Sequence, residues 1–184
     1  MQDKPVLQQR LSRDLASLVT TLQHPVVLPF LSAFWVTISR EWGSIEALRM
    51  DKYLFLIRQY VNASFRYLSQ NEWADEKGRE EYMEILSTTP LSPEDVKVPN
   101  GLRYHVLDVY VDELEKVGDA EWDVEVLESL LKPVRRLQTG GRDRAVREAA
   151  REMLEDERLS DWGCGDKKAD RLEEDRGEWG GIEG

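Results

Sequence analysis

Leu7, Leu11, Leu15, Leu18 and Leu22 recur at intervals of four, four, three and four, and spacing of this kind continues almost to the end of the chain. A period near 3.6 places such residues on one face of an α-helix, whereas a half-buried strand alternates every two residues. No convincing pair of strands competes with that pattern. Asp3 and Pro5 form a helix start, an oxygen-bearing cap followed by a residue with no N–H to leave unsatisfied. His24-Pro25 ends this first helix. A second helix takes Pro29 in its first turn, carries Leu31, Phe34, Trp35, Ile38 and Trp42 on one face, and has Gly43 where a C-terminal cap belongs. Asp51 is placed to cap a long third helix bearing Leu54, Ile57, Val61, Phe65 and Leu68. Its further aromatics, Tyr53, Phe55, Tyr60 and Tyr67, make it apolar on more than one side and predict a helix sandwiched between neighbours.

Residues 71–87 read as a weaker fourth helix interrupted by Gly78, and Pro90, Pro93 and Pro99 break the pattern after it. The run from Val106 to Val111 passes for a strand. Leu102, Val106, Val109, Leu114 and Val117 nevertheless keep helical spacing over 16 residues, longer than an ordinary strand, so a fifth helix is predicted, ended by Gly118. Two more, over 124–137 and 142–157, are separated by Gly140-Gly141. Seven uneven helices without a strict repeat predict an all-α fold over residues 3–159, an irregular stack of antiparallel helix pairs of the HEAT-like α-solenoid kind, with a compact bundle as the alternative. Residues 160–184 predict a disordered acidic tail rich in glycine: six of the twelve glycines lie there, with eight acids against four bases.

One cysteine, Cys164, excludes an intramolecular disulfide, and with only His24 and His105 a Cys/His zinc site has no ligand set, so no metal or cofactor is expected. That usage fits cytosol or nucleus, and the polar N-terminus does not read as a signal peptide. Leu15 to Ser39 is a 25-residue stretch free of Asp, Glu, Lys and Arg, but its middle reads Thr20-Thr21-Leu22-Gln23-His24-Pro25. Polar residues and prolines at mid-depth suit a turn between two soluble helices, so no membrane partner is expected. Enzymatic chemistry finds little support. Phosphate-loop spacing is absent, His24 reads as a capping or surface residue, and His105 as a packed or half-exposed helix residue. Carboxylates such as Glu80 and Glu84 read as a solvated face. No catalytic residue and no small-molecule substrate are predicted.

Two charged features stand out. Lys132, Arg135, Arg136, Arg142, Arg144, Arg147 and Arg151 outnumber two acids in a window of charge +5, within a chain whose net charge is −11. Arg144, Arg147 and Arg151 share a helix face. The window reads either as a solvated face paired with acidic neighbours or as a contact for RNA phosphates or an acidic partner, both of which suit arginine forks. An acidic surface as a whole disfavours nucleic acid. The second feature is the block from Phe34 to Arg58. Trp35 and Trp42, seven apart, read as core, while Arg40, Arg49, Lys52 and Arg58 either join a charge network with Asp51 around a helix start or face a protein partner.

The order of residues in that block resembles the ribosomal RNA-processing protein 1 (Nop52) family. The resemblance rests on Trp35, on Arg40-Glu41-Trp42, on Leu48-Arg49-Met50-Asp51-Lys52, on Leu56-Ile57-Arg58, then on Pro99-Asn100-Gly101-Leu102-Arg103-Tyr104-His105 with Asp108, Tyr110, Glu113 and Leu114, and on Leu130-Leu131-Lys132-Pro133. It spans residues 3–159. It implies a nucleolar, helical protein of the nucleus that joins large-subunit precursors and supports pre-rRNA processing through other assembly factors, without cleaving RNA; pre-rRNA itself is a further candidate partner. Members of the family usually carry a further helical segment before the point that Asp3 matches, so the leucine stripe of the first helix is expected to be exposed here. Many also end in long basic extensions, in contrast to the acidic tail.

Overall fold

A computed structural model of the chain describes residues 5–70, 73–118 and 122–163. Among these, eight α-helices and two 3-10 turns form, and no strand. The helices are α1 (Pro5–Thr21), α2 (His24–Glu41), α3 (Met50–Leu68), α4 (Glu76–Thr88), α5 (Asn100–Glu115), α6 (Val124–Gly140), α7 (Arg144–Leu154) and α8 (Glu157–Asp161). Odd-numbered helices lie side by side in the order α1, α3, α5, α7, and even-numbered ones in the order α2, α4, α6, so each helix from α1 to α5 packs against the one two further along. This makes two helical layers, closed at the far end where α6 meets α7. No helix among the described residues is long and apolar enough to cross a membrane.

The core between the layers is built from aromatics whose polar ends are satisfied inside it. Trp35 of α2 is fully buried and donates its indole N–H to the Tyr82 hydroxyl of α4 at 3.3 Å. Phe34 stacks on Tyr60 of α3 with ring centroids 3.6 Å apart. Phe65 of α3 meets Tyr110 of α5 edge-on, and the Tyr110 hydroxyl donates to the Leu130 carbonyl of α6 at 2.7 Å. Burial raises the pKa of both phenols, that of Tyr82 to about 12. Both therefore stay protonated, and Tyr110 remains a donor across the layers.

Several boundaries differ from the sequence reading, each for a local reason. Helix α2 begins at His24, so Pro25 takes the first turn and Pro29 lies inside the helix. Gly43 is no left-handed cap: α2 passes straight into a 3-10 turn, Trp42–Ser44. A second such turn, Ala47–Arg49, leads into α3, which has no side-chain cap. Asp51 instead lies in its first turn, where a carboxylate favours the positive helix end. Gly78 does not interrupt α4. It sits in the first turn and donates its N–H to the Asp75 carboxylate, the N-cap, at a distance that leaves no room for a Cβ. Asp156 starts an eighth helix, α8, by accepting the Arg158 N–H. Leu159 of that helix is fully buried, and Trp162 packs on Trp122. Most of the expected tail, including Cys164, falls on 164–184, outside the described residues.

Helix α1 buries small residues, Ser12, Ala16 and Val19, against its neighbours, while Leu7, Leu11, Leu15 and Leu18 are exposed as expected for the stripe. The short side chains let α1 lie close on α3, and the leucines are turned roughly a third of a revolution away.

Candidate partner-binding surfaces

The basic window of 132–151 is largely answered from within the chain. Lys132 and Arg136, one turn apart on α6, meet Glu80 and Glu84, one turn apart on α4, at 3.8 and 2.7 Å. Arg135 grips Glu128 with two N–H donors, each at 3.1 Å. Arg151 pairs with Glu148 and Glu155 on its own helix. Arg147 donates to the carbonyls of Gly141 and Arg142 at 2.7 and 3.2 Å. Arg142 and Arg144 are exposed and form no ion pair among the described residues. They flank Asp143, which caps α7 and accepts from the Asn100 side chain at 2.8 Å. The window is thus one alternating ladder of charge between α4 and α6 followed by two open arginines at the start of α7. Acids one turn apart on one helix, opposite bases one turn apart on another, were the sequence signal for the ladder, and only the pairing of α4 with α6 reveals it.

The second candidate set divides in two. Arg58, its side chain 34% exposed, turns onto α5: it donates to Glu113 at 2.5 Å and to Asp112 at 2.9 Å. The Glu113 side chain is 2% exposed and also accepts from Asn62 and Lys116. Burial lowers the Arg58 pKa, but the bonds and charges of Glu113 and Asp112 outweigh it and the net shift is upward. From the other side Arg158 of α8 reaches Asp112, Glu115 and Asp156, and these bonds, first that to Asp156, raise its pKa far above the ordinary value. Asp112 therefore sits between two arginines, and the cluster ties α3, α5 and α8 together. Arg40 and Arg49 stay exposed, and Lys52 is half-buried. Arg40 meets Glu41 at 2.7 Å and Arg49 meets Glu46 at 3.3 Å, both exposed pairs. Arg49 and Lys52 line a groove of about 300 Å³ with Gln8, Leu11, Ser12 and Leu15 of α1 and Tyr53 and Leu56 of α3.

The motif from Pro99 to His105 proves to be a structural joint. Arg103, 6% exposed, donates to the carbonyls of Ser92, Asp95 and Val98 and to the Asn100 side chain, gathering the proline-rich loop onto α5. Gly101 lies under the Trp42 indole, whose ring atoms stand 3.1 to 3.4 Å from where a Cβ would be. This contact joins two blocks of the sequence motif that lie nearly 60 residues apart. His105 holds the Leu54 carbonyl of α3 at 2.8 Å, so its Nε2 carries the proton, and burial lowers its pKa. His24 approaches the Asp75 carboxylate at 3.1 Å. Asp75 is held below the usual carboxylate range, first by the Gly78 N–H and then by His24. Each histidine is occupied by joining two helices or a helix and a loop. Among the described residues no cluster of His, Cys, Asp and Glu is arranged to hold a metal.

A third feature escaped the sequence reading. Trp73, Trp122 and Trp162, from three separate connections, stack in series with centroids 5.5 and 5.3 Å apart. Trp73 has a left-handed backbone, φ +64°, and Arg79 holds its carbonyl while also donating to Ser129 of α6 at 2.7 Å. Isolated tryptophans at loop positions carry no periodicity that would have paired them in advance.

A model of the family described as nucleolar protein, Nop52, matches residues 1–179. The chain belongs to the Nop52 family. It is 37% identical over 151 residues to a human protein, ribosomal RNA processing protein 1 homolog A, a match covering 79% of the chain and 32% of that protein. Identity with the human homolog B is 40% over 122 residues, covering 66% of the chain and 16% of that protein. The Dictyostelium discoideum homolog is 28% identical over 183 residues, covering 90% of the chain and 37% of that protein. The chain therefore spans well under half the length of these relatives. Its family is nucleolar, which places this Nop52 chain in the nucleolus of the nucleus.

Proposed function

We propose that the chain is a non-catalytic assembly factor of the large ribosomal subunit precursor that supports pre-rRNA processing by binding other assembly factors. Relatives named ribosomal RNA processing proteins support the process. The observation that carries the scaffold reading is the use made of polar chemistry: both histidines, Arg58, Arg79 and Arg103 are spent joining helices and loops. What is left to act is a two-layer stack presenting long helix faces, the arrangement by which helical solenoids bind other proteins. The test is affinity purification of the tagged chain from a eukaryotic cell, followed by mass spectrometry and pre-rRNA blotting. Large-subunit assembly factors recovered with their pre-rRNA are expected. A preparation free of ribosomal precursors would refute the proposal.

Direct rRNA contact through the 132–151 face is the second reading, and the open pair Arg142 and Arg144 favours it over no contact at all. The ion pairs of Lys132, Arg135, Arg136 and Arg151 narrow it to a small site, because a paired arginine offers a phosphate little net charge.

A further inference from the structure

The sequence motif that runs from Pro99 to Leu114 is mostly spent inside the fold. Leu102, Tyr110 and Leu114 are fully buried, and Gly101, Arg103, His105 and Glu113 hold the contacts described above. Tyr104, 38% exposed, and Asp108 turn outward instead, and both line a groove of about 270 Å³ between α5 and α7. Leu107, Val111 and Met153 make its apolar floor. The two helices are parallel there and tied at both ends. Asn100 at the start of α5 donates to Asp143 at the start of α7 at 2.8 Å, and Arg158, just beyond α7, meets Asp112 and Glu115 near the end of α5 at 3.1 and 2.8 Å. The groove is therefore formed before anything enters it, and an occupant spends no binding energy on ordering it.

The charges of the lining say what the occupant must carry. Three acids, Asp108, Glu152 and Asp156, stand against one base, Arg158. Arg158 is held by Asp156, Asp112 and Glu115, which takes it and Asp156 out of the account. Asp108 on α5 and Glu152 on α7 are exposed and form no hydrogen bond or ion pair among the described residues. One unanswered carboxylate on each wall, an apolar floor and a half-open tyrosine ring match an arginine. Its stem covers apolar surface, and its guanidinium forks to carboxylates and stacks on an aromatic face.

We propose that the groove between α5 and α7 docks a basic segment of a separate protein, with an arginine seated on its apolar floor between Asp108 and Glu152 and against the Tyr104 ring. The proposal rests on the assembly-factor reading for there being such a partner. Chain ahead of α1 enters at the opposite end of the odd-numbered row. Chain after α8 leads away from the groove, since Trp162 packs on Trp122 and Gly163 lies by Val124, at the start of α6. Residues 164–184 also have the wrong sign, seven acids against four bases. Two other occupants have cations to offer, a second copy through its open Arg142 and Arg144 and a basic extension of the kind that many family members carry, and the test separates both.

The test uses the whole chain and two labelled peptides of about ten residues that differ only in having arginine or lysine at their basic positions. Fluorescence anisotropy at physiological salt is expected to give saturable binding, about tenfold tighter for the arginine peptide. Asp108→Asn with Glu152→Gln should weaken it about thirtyfold with an unchanged circular dichroism spectrum, whereas Glu76→Gln with Glu125→Gln, exposed acids elsewhere, should leave it unchanged. Ala149→Phe, which fills the groove without altering charge, should block it, and Tyr104→Leu should erase the preference for arginine. No saturable binding, equal binding of the two peptides, or equal loss in the two acid-to-amide pairs would overturn the proposal. So would self-association lost both with Asp108→Asn and Glu152→Gln and with Arg142→Glu and Arg144→Glu, which makes the occupant a second copy. Tighter binding after removal of 164–184 would make it the chain's own tail. Binding by the human homolog A only after removal of its part beyond the match would make it the family's own extension. Failure of peptide binding leaves recovery of ribosomal precursors by the unaltered chain untouched, so the two readings fail separately.

Discussion

Glu113 is the residue on which the interior depends most. Its carboxylate is almost completely buried and accepts hydrogen bonds from Arg58, Asn62 and Lys116. Removing one partner of a buried pair leaves a charge without full compensation, a loss of about 3–5 kcal/mol when no other partner remains. Because Asn62 and Lys116 stay, Arg58→Met is predicted to cost about 2 kcal/mol in urea unfolding, whereas Arg40→Ala, at an exposed pair, should change stability by less than about 0.5 kcal/mol. His105 makes a second prediction at this scale. Burial, its main influence, lowers its folded pKa below the unfolded value of about 6.5, so between the two values the unfolded chain binds more protons. Its contribution is fully present above about pH 6.5 and is lost as pH falls through the folded value. Asp75 and Asp156, held low by their hydrogen bonds, lose theirs only in stronger acid. Urea midpoints should therefore fall between pH 7.5 and pH 5, and His105→Gln, which keeps a donor for the Leu54 carbonyl, should flatten that fall. An equally steep fall in the variant would contradict the assignment.

At the scale of the element, the helical period located all the major helices, because burial against two layers demands it. It misjudged ends, where caps and close contacts decide. Asp75, Asp123, Asp143 and Asp156 each accept backbone N–H bonds at the start of a helix, a role that Asp51 was expected to fill and does not. Period also cannot say which of two faces is buried. Helix α1 has a large apolar face and a small one, and the small one packs. Gly118 illustrates a position set by space rather than by backbone conformation. A Cβ there would lie 2.1 Å from the Trp122 ring, so the ring must move. Gly118→Ala is predicted to displace Trp122 from the tryptophan stack, cost about 1–3 kcal/mol, and shift tryptophan emission to the red. Unchanged emission and stability would show that the stack does not depend on that contact.

Across the whole molecule, the fold was legible and the surface was not. Burial obeys a period that can be read along one chain, but a charge on the surface acquires its meaning from the helix opposite. Lys132 and Arg136 read equally as a paired face or a binding face, and only the fold sets Glu80 and Glu84 across from them; Arg58 read as part of a charge network or as a partner contact, and only the fold brings Asp112, Glu113 and Arg158 beside it. Arg49 kept its place at the surface, on the side of the molecule where Leu7, Leu11, Leu15 and Leu18 are exposed. If rRNA is touched through the basic window, Arg142→Glu with Arg144→Glu should reduce the slope of log affinity against log salt by about two, whereas a slope unaffected by the change would place any RNA contact elsewhere.

Sedimentation of nucleolar extract from cells that express the tagged chain would show whether this helical stack works within large-subunit precursors. The chain is expected to migrate with the large-subunit precursor particles and their pre-rRNA. Migration only at the top of the gradient, as a free protein of about its own mass, would contradict it.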